Sequence, residues 1–282
     1  MNKLMKALRK ESTKAIYYTF AFIWAFVTLY PLFIALISSV KENGEIYGSM
    51  FRLPKVWHLE YYMRAITGAR MLSCIRNSLI ITGGTTVILL IVSSMASFVL
   101  VQSQRFALSG FIYLLFITGI MIPVHSTLIP LARIMGALNG HNNYFIIMLV
   151  YTAFQLPMSI FLITGYMRII PKELTEAAII DGCSMTNLLF RIFIPISAPG
   201  IATSGIIAFL FIYNELIFSV MFINVRLKFT ISLGMLYFVG DRNTQMGPIF
   251  ASIILAVLPM IIIYLLFQEK VQKGMIAGSV KG

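Results

Sequence analysis

Charge is scarce in this chain: Asp, Glu, Lys and Arg together supply 11% of its 282 residues, less than half the roughly 25% of an ordinary soluble domain. Acid is scarcer still, with 10 Asp and Glu against 22 Lys and Arg. Cysteine is limited to Cys74 and Cys183, too far apart for a metal or redox spacing. Histidine is limited to His58, His125 and His141 with no HExxH, so no metal site is expected. No GxxxxGK followed by Ser or Thr occurs, so any nucleotide chemistry belongs to another subunit. There is no internal repeat of the kind an inverted-repeat transporter carries.

Apolar side chains are what the sequence has in excess, at 59% of residues, with a mean hydropathy of +0.89. One water-soluble core could not hide that much apolar surface, which excludes a plain soluble enzyme and a disordered chain. In a soluble protein the net charge of +12 would point to nucleic acid. Here the basic residues lie in short connections between apolar runs, which suits lipid headgroups, and no nucleic-acid partner is expected.

A bilayer core of about 30 Å requires roughly 20 apolar residues in a helix. Uncharged runs of that length predict spans near 16–39, 78–101, 110–131, 144–167, 200–223 and 249–267. Unpaired amides are not tolerated in hydrocarbon, so these are read as helices, giving an all-α integral membrane protein with six transmembrane helices. The organisation expected is a cytoplasmic leader at 1–15, the first helix at 16–39 and an extracytoplasmic loop at 40–77. A core of five helices at 78–267 and a cytoplasmic tail at 268–282 follow. The apolar run behind Lys3, Lys6, Arg9, Lys10 and Lys14 is too long for a signal core, and no small-residue cleavage site follows it, so the first span is read as a retained anchor. With the N-terminus inside, 12 basic residues fall inside and 10 outside, which is almost no vote. The positive leader favours the inside. Pro123, Pro130, Pro157 and Pro259 fall within spans, where each removes a helix hydrogen bond.

The connection at 168–195 differs from the others. Pro171 suits a first helical turn, and Glu173 and Glu176 place negative charge near the positive end of the dipole. Leu174, Ala177, Ala178 and Asp181 share one face by their spacing. Gly182 is placed to end this helix in a left-handed cap. Ser184 can cap a second short helix through Leu188, Leu189 and Ile192, which Pro195 is expected to stop. An amphipathic helix on the membrane surface is the plain alternative. The small, mixed face favours insertion into a protein cleft.

Glu176-Ala177-Ala178, three residues, Gly182, nine residues and Ile192-Phe193-Ile194-Pro195 resemble the EAA loop of ABC importer permeases, with Ile194 where leucine is usual. Asn77-Ser78, Pro123 and Pro130, Asp181-Gly182, Tyr213-Asn214-Glu215 and the ending Ala277-Gly278-Ser279-Val280-Lys281-Gly282 are similar to the carbohydrate branch, in particular its smaller, maltose-type subunit. The resemblance implies the MetI-like ABC importer permease fold in a multi-pass protein of the cell (plasma or inner) membrane, with both termini cytoplasmic. Partners implied are a second, non-identical permease, two ABC ATPase subunits that bind the ATP and Mg, an extracytoplasmic solute-binding protein and membrane lipids. The chain itself would hold no cofactor and hydrolyse nothing. Coupling to the ATPase is implied for Glu173, Glu176, Ala177, Ala178, Asp181, Gly182, Ile192 and Pro195, with Lys281 and Gly282 of the tail near the ATPases or simply a positive flank. A carbohydrate, in particular an oligosaccharide, is the implied cargo. An ion-coupled secondary transporter, or an ABC permease for a polyol or glycerol phosphate, is the alternative.

Glu215 is the only acid inside an expected span. A carboxylate there faces the bundle interior or a water-filled cavity. Glu215 and Asn214 either line the translocation path or act as interhelical glue. His125 and Gln155 are further path candidates on the same grounds. The charged, aromatic loop from Lys41 to Arg76 either contacts a binding protein or caps the bundle.

Overall fold

The computed structural model describes residues 2–103, 106–239 and 244–279. The regular structure among its described residues is all helical, with no strand among them. In chain order the helices are α1 (Asn2–Ser38), α2 (Asn43–Gly48), α3 (Glu60–Thr67), α4 (Met71–Gln102), α5 (Ala107–Ile120) and α6 (Leu128–Ala137). They continue as α7 (Tyr144–Met167), α8 (Lys172–Ile180), α9 (Met185–Ile196), α10 (Ala198–Tyr213), α11 (Ile217–Phe222), α12 (Ile231–Met235) and α13 (Met246–Ser279). Two compact units can be told apart, one of Met1–Met71 with Met235–Leu258 and the other of Leu72–Gly234 with Pro259–Gly282.

Four helical stretches are long and apolar enough to cross a bilayer unaided: Ile16–Ser38, Met71–Gln102, Tyr144–Met167 and Met246–Leu266. Six spans are reached only by counting each of two bent pairs as one. The expected third span is one of these. Ala107–Ile120 and Val124–Ala137 meet at 94°, because Pro123 is extended (φ −63, ψ 124) and has no N–H to continue the ladder. Pro130 causes no second break, since it falls in the first turn of α6, where a missing N–H costs little. Pro157 and Pro259 lie inside the unbroken helices α7 and α13.

The expected span at 200–223 also differs. α10 stops at Tyr213, a gap covers 214–216, and α11 resumes at Ile217. At its other end α10 meets α9 at 75°. Pro195 does not stop α9, because the π turn Leu189–Phe193 widens the helix ahead of the ring and the helix ends one residue later at Ile196.

Within the larger unit, two apolar clusters lie at the two ends of α7. The first gathers Ile81 and Leu89 of α4, Ile147 and Tyr151 of α7, Ile212 of α10 and Phe218 and Phe222 of α11. The second gathers Phe98 of α4, Ile163 and Met167 of α7 and Leu188, Leu189 and Phe193 of α9, with Phe98 and Phe193 edge to face at 5.0 Å. Between α7 and α10, Gly200 is buried, and a Cβ on it would come within 2.3 Å of the Tyr166 ring. Alanine at a helical glycine normally gains roughly 1 kcal/mol in propensity. Gly200→Ala is instead expected to lower the thermal unfolding midpoint, and adding Tyr166→Leu should restore part of it.

Candidate functional site

The loop between α7 and α9 is held from behind by the second cluster. Ala178, Cys183 and Ile192 are half-buried against it. Pro171 is the cap rather than the first helical residue of α8, and Glu173 lies in the first turn as expected. The C-terminal end of α8 closes as a Schellman motif. Cys183 N donates to Ala178 O at 2.9 Å and Gly182 N to Ile179 O at 3.0 Å, with Gly182 at φ +79. Ser184 Oγ then accepts from Asn187 N at 3.3 Å and starts α9.

These two caps set which face of α8 is free. Thr175 and Ala178 turn inward, while Glu173, Leu174, Ala177, Ile180 and Asp181 are exposed. The shared face expected for Leu174, Ala177, Ala178 and Asp181 is therefore split, with Ala178 on the packed side. Ile180 is 85% exposed. An isoleucine held this far out, beside an exposed Leu174 and two carboxylates, makes a short knob with an apolar tip and an acidic rim. Glu176 borders a cavity of about 280 Å³ behind the helix, with Arg168, Lys172, Gln102 and Phe193. The Arg168 guanidinium lies over the Tyr113 ring of α5 at 4.3 Å. Ile192 and Pro195 belong to α9 beneath the knob. Lys281 and Gly282 lie outside the described residues.

The second group of candidates lies at the α10–α11 break. Asn214 Nδ2 donates to Leu210 O at 2.8 Å and closes the end of α10. Glu215 Oε1 accepts from Phe218 N at 2.8 Å, and its Oε2 accepts from Ser219 N at 3.3 Å and from Tyr151 Oη at 2.6 Å. Tyr151 Oη is also 3.3 Å from Ser219 Oγ. The Glu215 carboxylate thus opens α11, where negative charge and orphan amides suit each other, and joins it to α7. Three donors from its own chain occupy it and tie α11 to α7. Asn214 is exposed beside it. His125 is exposed in the turn Val124–Thr127 and Gln155 is half-buried on α7. Among the described hydrogen bonds none joins either to the Glu215 group.

Sequence reasoning missed the polar ties at the same end of the unit. Asn142, at φ +57, donates its N–H to Phe222 O at 2.8 Å and accepts Asn224 N and Val225 N on Oδ1, each at 2.9 Å. Lys228 Nζ donates to Asn142 O at 2.8 Å. Asn77 Nδ2 reaches Leu227 O and Phe229 O, and Ser78 Oγ accepts from Ile231 N. The polar run Gly140-His141-Asn142-Asn143 was the available signal, since Asn readily enters the left-handed region.

Comparison with known proteins agrees with this layout. The family described as "Binding-protein-dependent transport system inner membrane component" matches residues 90–277. A putative ABC transporter permease, ORF2 of a Caldicellulosiruptor species, is 36% identical over 96% of this chain and 98% of its own length. The melibiose/raffinose/stachyose import permease MelC of Bacillus subtilis is 31% identical over 99% of this chain and 100% of its own. The crystal structure of a bacterial ABC transporter that imports the acidic polysaccharide alginate contains a chain with the same fold. It matches with a TM-score of 0.76 at 20% identity, over 90% of this chain and 94% of that one.

Proposed function

The chain belongs to the binding-protein-dependent transport system inner membrane components, the permeases of ABC importers, and we propose that its cargo is a carbohydrate taken up as an oligosaccharide. The full-length likeness to a permease for melibiose, raffinose and stachyose supports that cargo. In the proposed complex this permease pairs with a second, non-identical permease to form the path. Two ATPase subunits bind ATP and Mg on the cytoplasmic side, and a solute-binding protein delivers the sugar from the other.

The observation that carries the mechanism is the α8 knob: an exposed face fixed by two caps on a packed base. Glu173, Ala177, Ile180 and Asp181 enter a cleft of the ATPase. Ala178, Ile192 and the Phe98–Phe193 contact pass its movement to α4, α7 and α9. Glu176 steadies the helix from the cavity side, and Gly182 keeps its end at a fixed angle. Because α8 then faces the ATPase, both chain termini are cytoplasmic, in line with the basic leader. Asn214 lines the path beside the Glu215 brace, with His125 and Gln155 at its margins.

The test is uptake into proteoliposomes holding the whole complex. Oligosaccharide uptake is expected to need internal ATP and external binding protein, and to proceed without an ion gradient. Gradient-driven uptake after ATP depletion would mean secondary transport. ATP-driven uptake confined to polyols or glycerol phosphate would leave the permease role standing and remove the carbohydrate.

A further inference from the structure

The loop after α1 carries large apolar side chains that its own unit leaves uncovered. Tyr47, Phe51, Leu53, Val56 and Trp57 are each between 59% and 70% exposed. Their level relative to the bilayer follows from α1. The apolar stretch Ile16–Ser38 has 23 residues, about 34 Å at 1.5 Å per residue. Centred on a hydrocarbon core of about 30 Å, it overshoots by a few ångströms at each end. Tyr30 precedes Ser38 by eight residues, about 12 Å of helix, and so lies roughly 10 Å inside the hydrocarbon boundary. Phe51 stacks on Tyr30 with ring centroids 6.1 Å apart. The Phe51 ring therefore turns back along α1 to a level below the hydrocarbon boundary, while Trp57, next to His58 whose N–H meets Val40 O past the end of the apolar stretch, lies at the interface.

Several polar groups of the loop are served by the chain itself. Lys41 is 1% exposed, and its Nζ donates to Ser49 O at 3.3 Å and Met50 O at 2.9 Å. Those carbonyls follow the end of α2, where water would normally serve them. Lys55 N donates to Glu45 Oε1 at 3.2 Å, and His58 N to Val40 O at 2.9 Å. Side chains and backbone of the chain thus replace water at several turns of irregular backbone, as hydrocarbon requires. Arg52 and Lys55 are exposed among the apolar residues, long enough to reach headgroups, and Trp57 is of the kind found at membrane interfaces.

We propose that residues 47–57 form a membrane-inserted flap, covered by bilayer lipid rather than by a soluble partner, with the Lys41 ammonium sealing its backbone. The experiment uses the assembled transporter in lipid nanodiscs, on a cysteine-free background, with a nitroxide attached at Leu53→Cys or Trp57→Cys. Ile23→Cys in the middle of the exposed stretch of α1 serves as the lipid reference and Glu42→Cys as the water reference. The label at 53 is expected to relax with oxygen and to lose relaxation by a water-soluble nickel chelate, as at position 23, and the label at 57 to fall between positions 23 and 42. Nickel relaxation matching position 42 overturns the proposal. So does shielding from both reagents, which would place a protein partner on the flap. Lys41→Met, read at the position 57 label, should raise nickel access, and unchanged access would remove the sealing role. Uptake retained by the labelled complexes separates these outcomes from failure of the permease reading.

Discussion

Gly182→Val is expected to abolish uptake and substrate-stimulated ATP hydrolysis while the permease still inserts and assembles. Space is not the reason, since a Cβ at Gly182 meets nothing within 4 Å. The cost is torsional. Gly182 sits at φ +79, where an L-residue pays about 1–2 kcal/mol and a β-branched one is a severe outlier. The chain can relieve that strain by opening the Schellman bonds of Cys183 and Gly182. Opening them unwinds the last turn of α8, moves Ile180 and Asp181, and frees the start of α9. Gly182→Asn enters the left-handed region most readily and should keep much of the activity, with Gly182→Ala between the two. Equal loss in all three, measured as ATP hydrolysis and uptake by the reconstituted complex, would mean that any side chain at 182 blocks docking and that torsion is not the cause.

The second large effect is on stability. Glu215→Ala leaves Tyr151 Oη and the Phe218 and Ser219 N–H groups without their acceptor. Each such buried group costs about 1–3 kcal/mol. The thermal unfolding midpoint of the solubilised complex is expected to fall most for Glu215→Ala. Glu215→Gln should lose less because it keeps one acceptor, and Tyr151→Phe should also lose less than Glu215→Ala, because it removes the contacts to Glu215 and Ser219 Oγ but leaves both backbone N–H groups of α11 their acceptor. Lost uptake with an unchanged midpoint in Glu215→Ala would return the carboxylate to the sugar path.

The loop at 168–195 was largely legible in the sequence, because its determinants are local. Pro171, Gly182 and Ser184 act within four residues of themselves, through a fixed φ, a left-handed cap and a hydroxyl cap. Its orientation was less legible, because which of Ala177 and Ala178 packs inward depends on Phe98, Met167 and Phe193 from distant helices. The break at 214–216 was hidden for the same reason. Apolar residues on both sides of Glu215 predicted one continuous span, and the acceptor that starts α11 is fixed by Tyr151, 64 residues earlier in the chain. Of the two breaks expected in the third span, only the one at Pro123 forms, while Pro130 is absorbed in the first turn of α6, and α9 runs one residue past Pro195 before it ends. A proline removes one hydrogen bond, and whether the helix survives depends on what its neighbours offer in exchange.

The coupling role of α8 is tested most directly by photo-cross-linking from single positions in the assembled importer. A photoreactive residue at Ile180, 85% exposed on the knob, is expected to cross-link to an ATPase subunit, with a yield that changes on ATP binding. A reporter at Asn224, in the segment tied to Asn142, should give no such product. ATPase adducts from position 224 and only lipid adducts from position 180 would contradict both the orientation and the coupling role of α8.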